Sequence, residues 1–423
     1  MFVHAEEAQA WIEQSKRFGD KFDLHRMEIA CEKLGHPERK FPSVHVAGTN
    51  GKGSTTNYIK NILHSAGYKT GIYTSPYVVR FNERIGIDDD DITDEAIVLY
   101  ANRLKALWDE IERETGESVT FFEILTLMAF LYFADQQVDI AVIEVGLGGT
   151  LDATNVIVPV VSVITNISYD HMKQLGDTLE SIASNKLGIV KEHGHLITTV
   201  SQEALFDQFQ STCDSRHASI QFVNTELVRN PHFGETTTFS YQGLDYQLAL
   251  PGVHQITNAV LALEVTRYLS TKGFAIEARN MQEGLLKTRW PGRFEIFNHN
   301  IVLDGAHNVG GFASLHQSIN AIYPDKKIKC VFCMMKDKEH FQVIRELDTF
   351  VDEVVFTEIE YPRRADAETL FEESQHPHKS IEKDFRIAID RESILACDEI
   401  LLITGSLYFI SEARKYILQK FAQ

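Results

Sequence analysis

No window of about 18 uninterrupted apolar residues occurs in the chain, which excludes a membrane-spanning helix from the reading. The opening residues MFVHAEEAQAWIEQSKRF lack the basic start, apolar core and small-residue cleavage site of a secretory leader, so a cytoplasmic protein is expected. Cysteine is scarce: five in 423 residues, an odd number spread thinly, do not build a disulfide framework. Only Cys330 and Cys333 form a CxxC pair, and no second Cys or His pair stands near it to complete a zinc site. KIKCVFCMM therefore predicts a buried strand with core cysteines. Positive charge is short as well. Lys and Arg number 41 against 60 Asp and Glu, a formal net charge of -19, which argues against a nucleic-acid surface. If the ligands are anions, cations and backbone amides must converge locally to reverse that field. Repeats and low-complexity tracts are missing too, and the acidic run Asp88 to Asp91 reads as a solvated loop.

What remains is an ordinary globular composition, 44% apolar and 24% charged, on a chain long enough for two hydrophobic cores. Short apolar runs alternate with amphipathic stretches, the pattern of βαβ units. PSVHVAGTNGKGS predicts a strand and a glycine turn, TTNYIKNILHSAG the helix it opens with Gly67 as C-cap, and KTGIYTS a second strand. DITDEAIVLYANRLKALWDEIERET and TFFEILTLMAFLYFADQ predict helices, and VDIAVIEVG and VVSVITNIS predict buried strands. TTTFSYQGLDYQLAL, within residues 234–250, predicts a hairpin that interrupts this rhythm before the helix VHQITNAVLALEVTRYLSTKG. Beyond a boundary placed near residues 296–300, NIVLDGAHN, IKCVFCMM, DEVVFTEI and DEILLITGS predict the strands of a smaller domain. The expected fold is α/β: a P-loop-type, mostly parallel sheet with helices on both faces over residues 1–296, and a Rossmann-like domain over 297–423.

The densest local signal is Gly48-Thr49-Asn50-Gly51-Lys52-Gly53-Ser54, between a predicted strand and a predicted helix. Glycines let the backbone curl so that several amides face a phosphate, the helix N-terminus adds its dipole, and Lys52 adds a full charge. Asn50, Gly51, Lys52, Gly53 and Ser54 are the candidate triphosphate contacts. Here Gly53 separates Lys52 from the hydroxyl residue, where the common phosphate loop has Ser or Thr directly after Lys. Glu144 ends an apolar strand ahead of Gly146, Gly148 and Gly149, a place suited to a carboxylate magnesium ligand; a surface glutamate is the plainer alternative.

HVAGTNGKGST resembles the ATP-binding loop of the Mur ligase superfamily, and within it that of the folylpolyglutamate synthases and bifunctional dihydrofolate synthases. Further segments resemble the same family in the same order: Thr74-Ser75-Pro76, the FNERI of residues 81–85, GLGGTLDATN of 146–155, Tyr169-Asp170-His171 with LGDT of 175–178, and SNKLGIVK. His254-Gln255 with Asn258, Trp290-Pro291-Gly292-Arg293 and Asp304-Gly305-Ala306-His307-Asn308 continue it, so that the likeness runs from FDLHRM to ITGSLYF. Two departures stand out: Thr150, where the family often has a basic residue, and Val309, where it usually has Pro.

The resemblance implies two magnesium ions with Ser75, Glu144 and His171 as ligands, and a carbamate on Lys186. It implies Asn258 against adenine, Arg293 on the nucleotide phosphates, Asp304 and His307 as the second domain's share of the ATP site, and Lys52, Lys186, Asp304 and His307 as the catalytic group. Phe22, Asp23, Leu24, Thr120, Phe121, Phe122, Glu123, Leu151, Asp152 and Ala153 are the implied pterin-lining residues. From the residues alone, His171 also reads as a polar loop histidine, Lys186 as a snorkelling helix lysine, Arg293 as a linker ion-pair residue, and Phe121 and Phe122 as core aromatics.

The implied activity is ATP-dependent ligation of L-glutamate to the γ-carboxyl of folate polyglutamates through an acyl phosphate, with dihydropteroate as a second acceptor. The implied partners are ATP, a folate or pterin and L-glutamate, on a monomer that uses neither nucleic acid nor membrane. A phosphotransferase acting on a small hydroxyl acceptor, or a non-catalytic nucleotide-gated interaction module, could use the same loop. Neither has a use for Lys186, His171 and DGAHN.

Overall fold

The computed structural model describes residues 1–16 and 23–421. The chain forms two units: Met1–Ile167, Leu175–Thr225 and Asn258–Leu285 make the first, and Ser168–Gln174, Glu226–Thr257 and Leu286–Gln423 the second. Among the described residues no helix is long and apolar enough to cross a membrane.

In the first unit, strands β1 (Ser43–Ala47), β2 (Thr70–Tyr73), β3 (Ile85–Ile87), β4 (Asp90–Asp91), β5 (Ile140–Glu144), β6 (Val161–Ile164), β7 (His195–Thr198) and β8 (Ser219–Phe222) form one sheet in the order β4-β3-β2-β5-β1-β6-β7-β8. The strands from β2 to β8 in that order are parallel, and β3 and β4 fold back antiparallel at one edge. β1 and β5 are buried at every position, which is why they read as largely apolar runs, interrupted in β1 by Ser43 and His45 and closed in β5 by Glu144. Tyr73, Ala141 and Ile143 join the core built with helices Ala5–Gln14, His25–Lys33, Asp94–Thr115 and Phe121–Asp135. Ala47, Ile164 and Leu196 join a separate core with helices Leu179–Leu187 and Phe206–Ser215.

The acidic run is a solvated turn, with Asp89 and Asp90 exposed, that also forms the return strand of the β3–β4 hairpin. Asp90 and Asp91 pair with Ile87 and Gly86, the Asp88 carboxylate accepts the Thr70 amide at 2.8 Å, and Asp89 receives the Lys60 ammonium at 3.0 Å. The ladder pairs the backbone of Asp90 and Asp91, while a nearby amide and cation give the Asp88 and Asp89 carboxylates partners that charge pattern alone does not reveal.

The second unit holds a three-stranded antiparallel sheet of β9 (Arg229–His232), β10 (Thr237–Tyr241) and β11 (Leu244–Leu248). Its tight turn places Gln242 (φ 48) and Gly243 (φ 80) in the left-handed region, the conformation a two-residue hairpin loop needs. A six-stranded sheet follows, β12 (Glu295–Phe297), β13 (Ile301–Asp304), β14 (Lys327–Phe332), β15 (Glu353–Glu358), β16 (Lys379–Asp384) and β17 (Glu399–Thr404), in the order β12-β13-β17-β14-β15-β16. Residues 296–300 lie in the antiparallel β12–β13 hairpin. Alternate side chains of β17 serve opposite faces: Ile400 and Leu402 meet Phe312, Leu315 and Ile344, whereas Leu401 and Ile403 meet Phe385, Ile389 and Ile410. Helices therefore cover both faces. Cys330 and Cys333 are core residues of β14 and its end, and burial pushes the Cys333 thiol up to about 12.

Candidate active site

The phosphate loop follows directly from β1. Gly48 (φ 147) and Gly51 (φ 81) turn the chain, and Gly51 is the N-cap of helix Lys52–Ser65. The glycines answer a steric need: a Cβ on Gly48 would stand 1.8 Å from Thr165 Oγ1, and one on Gly51 2.3 Å from Asn258 Oδ1. From behind, the Thr165 hydroxyl and Asn166 Nδ2 donate to the Asn50 carbonyl at 2.6 and 3.0 Å, and the Asn50 amide donates to Asn166 Oδ1 at 3.0 Å. Lys52 Nζ bends over the loop onto the carbonyls of Gly48 (3.1 Å) and Thr49 (3.2 Å). A helix N-terminus, a glycine turn and an ammonium thus come together in one loop, a combination suited to phosphate.

Three more sequence candidates, Lys186, Glu144 and Ser75, reach the same sheet edge. Lys186, buried on helix Leu179–Leu187, donates from Nζ to the Gly48 carbonyl at 2.8 Å, so this one oxygen receives both lysines. Glu144 ends β5 in register with Val46 of β1, and its Oε2 accepts the Ser75 amide at 3.3 Å. Because β2 and β5 are parallel neighbours, their C-terminal ends present Ser75 and Glu144 together, at the edge where open α/β sheets bind ligands. Among the described residues no group of three His, Cys, Asp or Glu side chains could hold a metal alone. A divalent ion held by Ser75 and Glu144 would complete its shell with phosphate and water oxygens, which is how magnesium is usually bound.

The pterin candidates form a third group. Thr120 and Glu123 make a capping box at the start of helix Phe121–Asp135, and Arg26 binds Glu123 (3.1 Å) and Glu117 (2.8 Å). Phe122 stacks on Tyr73 at 5.7 Å and fills the space a Gly146 side chain would need, while the Arg84 guanidinium sits 5.1 Å above the Phe121 ring. Asp152 caps the short helix Ala153–Val156; its carboxylate accepts the amides of Leu147 (2.8 Å) and Thr154 (3.1 Å). Burial pushes the Asp152 carboxyl up, against those amides and the Thr154 hydroxyl, which pull it down. Leu151 is exposed and Ala153 buried. Asp23 accepts the His25 amide at 3.2 Å and Leu24 precedes helix His25–Lys33, while Phe22 lies outside the described residues.

In the second unit Asp304, at the end of β13, accepts the amides of Phe294 (2.9 Å) and Ala306 (2.8 Å), which folds the Arg293 segment onto the strand. His307 Nδ1 lies 2.9 Å from the Gly305 carbonyl, and its Nε2 is 3.6 Å from Asp170 Oδ2. Asp170 also receives Asn308 Nδ2 at 2.9 Å and Lys338 Nζ at 2.6 Å. Burial alone would push its carboxyl up, yet the hydrogen bond and charge of His307, with the charges of Lys338 and His171, hold it well below the usual carboxylate range. His171 is in the left-handed region (φ 52) and exposed, with Nε2 3.8 Å from Asp170 Oδ1.

Residues 46–266 match the Mur ligase middle domain and residues 292–407 the Mur ligase glutamate ligase domain. The dihydrofolate synthase/folylpolyglutamate synthase of Bacillus subtilis is 38% identical over 430 residues, which cover 98% of this chain and 99% of that protein. The chain belongs to the folylpolyglutamate synthase/dihydrofolate synthase family. Its fold is similar to that of the Mycobacterium tuberculosis folylpolyglutamate synthase complexed with ADP and AMPPCP, with a TM-score of 0.88 and 29% identity over 97% of each chain. It is also similar to E. coli FolC in complex with DHPP and ADP, with a TM-score of 0.87 and 28% identity over 99% of this chain and 98% of that one.

In this synthase several polar residues that sequence patterns pass over brace the candidates. Thr165 and Asn166 hold the phosphate loop; both stand where an apolar strand turns polar at its C-terminal end, which is the one signal they give. Asp170 is adjacent to His171 in the motif already singled out, but its partners come from residues 307, 308 and 338, and no local pattern announces that.

Proposed function

We propose that this chain joins the amino group of L-glutamate to the γ-carboxyl of a folate, using ATP, and that 7,8-dihydropteroate is a second acceptor. The observation that carries the proposal is the convergence of Lys52 and Lys186 on the Gly48 carbonyl, with Glu144 level with the end of the strand that leads into the loop. A phosphotransferase would need the loop but not a second buried lysine turned onto it. ADP and AMPPCP in the M. tuberculosis relative, and DHPP with ADP in the E. coli one, support the two substrate classes.

In this reading residues 50–54 hold the phosphates through backbone amides and the Lys52 ammonium, and Asn258, Arg293, Asp304 and His307 complete the assignments for ATP. A carboxylate oxygen of the folate attacks the γ-phosphorus and ADP leaves, giving an acyl phosphate. The glutamate amine then attacks the acyl carbon, phosphate leaves, and the nitrogen gives up a proton as the amide forms. Lys52 stabilises the charge that grows on the phosphoryl oxygens. Ser75 and Glu144 are assigned to one magnesium ion and His171 to a second; bound there, the metal would supply Lewis-acid stabilisation of the phosphate oxygens. A carbamate on Lys186 would retain one N–H to keep the bond to Gly48 and would replace the positive charge with a carboxylate able to support a metal. Phe22, Asp23, Leu24, Thr120, Phe121, Phe122, Glu123, Leu151, Asp152 and Ala153 are proposed to line the pterin. Residues up to 296 would supply most of the ATP machinery, and those from 297 the glutamate part together with Asp304 and His307, in a monomer working in the cytoplasm.

An acyl phosphate has a distinct isotopic signature. With 18O in the acceptor carboxyl group, one labelled oxygen is expected in the released phosphate; unlabelled phosphate would sink the proposal.

A further inference from the structure

The most deeply buried imidazole of the first unit has no role in the proposal above. His45 lies in the middle of β1, between Val44 and Val46, with no exposed surface. Packing alone would be served by an aliphatic side chain, because burying a ring nitrogen without a partner is costly. His45 Nε2 lies 2.8 Å from Thr154 Oγ1, and Thr154 Oγ1 lies 2.5 Å from Asp152 Oδ1. The directions follow from the donors available. The one hydroxyl proton goes to the carboxylate, so the threonine oxygen must accept, and the proton it accepts is on Nε2 of a neutral imidazole. Nδ1 is then the bare nitrogen, and it has no hydrogen-bond partner. Burial holds the imidazole neutral, its pKa lowered to about 3. Beyond Thr154 the chain of bonds continues: Asp152 accepts the Leu147 amide at 2.8 Å, closing the loop of residues 147–154 on itself.

We infer that His45 is a positioning residue for the pterin subsite: through Thr154 it fixes the Asp152 carboxylate, and with it the loop that ends at Thr154. The strand that leads into the phosphate loop thereby also sets the shape of the acceptor's binding wall. The inference rests on the proposed place of Asp152 beside the pterin.

The test is steady-state kinetics of the full-length enzyme, varying the pterin-bearing acceptor (tetrahydrofolate and 7,8-dihydropteroate) and ATP in turn. His45→Leu and Thr154→Val, which break the relay, are expected to raise the acceptor KM about tenfold with the ATP KM unchanged. His45→Gln and Thr154→Ser keep a donor and a hydroxyl in place and are expected to stay near the parent value. Equal losses in the Leu and Gln variants, or a parallel rise in the ATP KM, would mean a merely structural histidine and overturn the inference. If Asp152→Ala leaves the acceptor KM unchanged, the subsite assignment itself fails. If Asp152→Ala raises it while His45→Leu and Thr154→Val do not, only the relay fails. Should His45→Leu not fold, the nearly isosteric Thr154→Val decides the question alone.

Discussion

Lys186 donates its Nζ proton to the carbonyl oxygen of Gly48 at 2.8 Å, tying a buried helix lysine to the first glycine of the phosphate loop. If the amine carries a carbamate in the working enzyme, positive charge is not what the position needs. Lys186→Arg is then expected to be as impaired as Lys186→Ala, each losing roughly 100-fold or more in kcat. Stripping bicarbonate from the assay should slow the parent enzyme, and adding it back should restore the rate. An active Lys186→Arg variant and a bicarbonate-independent parent would contradict the carbamate.

Gly51 meets Asn258 so closely that no side chain fits. At φ 81, with the Asn258 Oδ1 atom 2.3 Å from where a Cβ would stand, Gly51→Ala must distort the loop or expel the asparagine. Calorimetric titration with a non-hydrolysable ATP analogue is expected to show binding weaker by about tenfold or more, equivalent to about 1–2 kcal/mol of left-handed strain. Unchanged affinity would show that the loop does not hold the nucleotide.

His45 gives a pH signature. Its folded-state pKa is lowered to about 3 by burial, against about 6.5 in the unfolded chain. The unfolded state therefore takes up the proton first. The resulting penalty fades as pH rises above about 6.5 and grows as pH falls, at up to about 1.4 kcal/mol per pH unit. Urea unfolding of the parent and of His45→Gln should show the parent losing about 2 kcal/mol relative to the variant between pH 7 and pH 5. Parallel curves would mean that the imidazole titrates normally.

Arg26 lies between two carboxylates on other elements, binding Glu117 at 2.8 Å and Glu123 at 3.0 Å, with the arginine side chain 2% exposed. Arg26→Met leaves both acids without their guanidinium, and Glu123 is itself buried. A loss of roughly 3 kcal/mol in urea unfolding is expected, since removing one partner of a buried pair strands the other. A change below about 1 kcal/mol would place this pair among the weak surface ones.

What the sequence disclosed, and what it hid, follow from the range of the interactions. β1, β5, β14 and β17 are legible because strands covered on both faces are rich in apolar residues, with few polar interruptions. β16 is not: KSIEKD is an edge strand with a half-exposed surface, and its single Ile gives no pattern. The glycine loop is legible because backbone curvature leaves a mark in residue type. The Asp170 cluster is not, since Asn308 and Lys338 reach it from more than a hundred residues away. His45 reads only as one polar residue in an apolar strand; that it serves Thr154 and Asp152 is visible only once β1 and the 147–154 loop are side by side.

The most direct test is ATP-dependent incorporation of labelled L-glutamate, with magnesium and bicarbonate present, into tetrahydrofolate and into 7,8-dihydropteroate. The predicted result is an amide product from both acceptors, with one ADP and one phosphate released per bond. ATP turnover without an amide product from either acceptor would contradict the assignment.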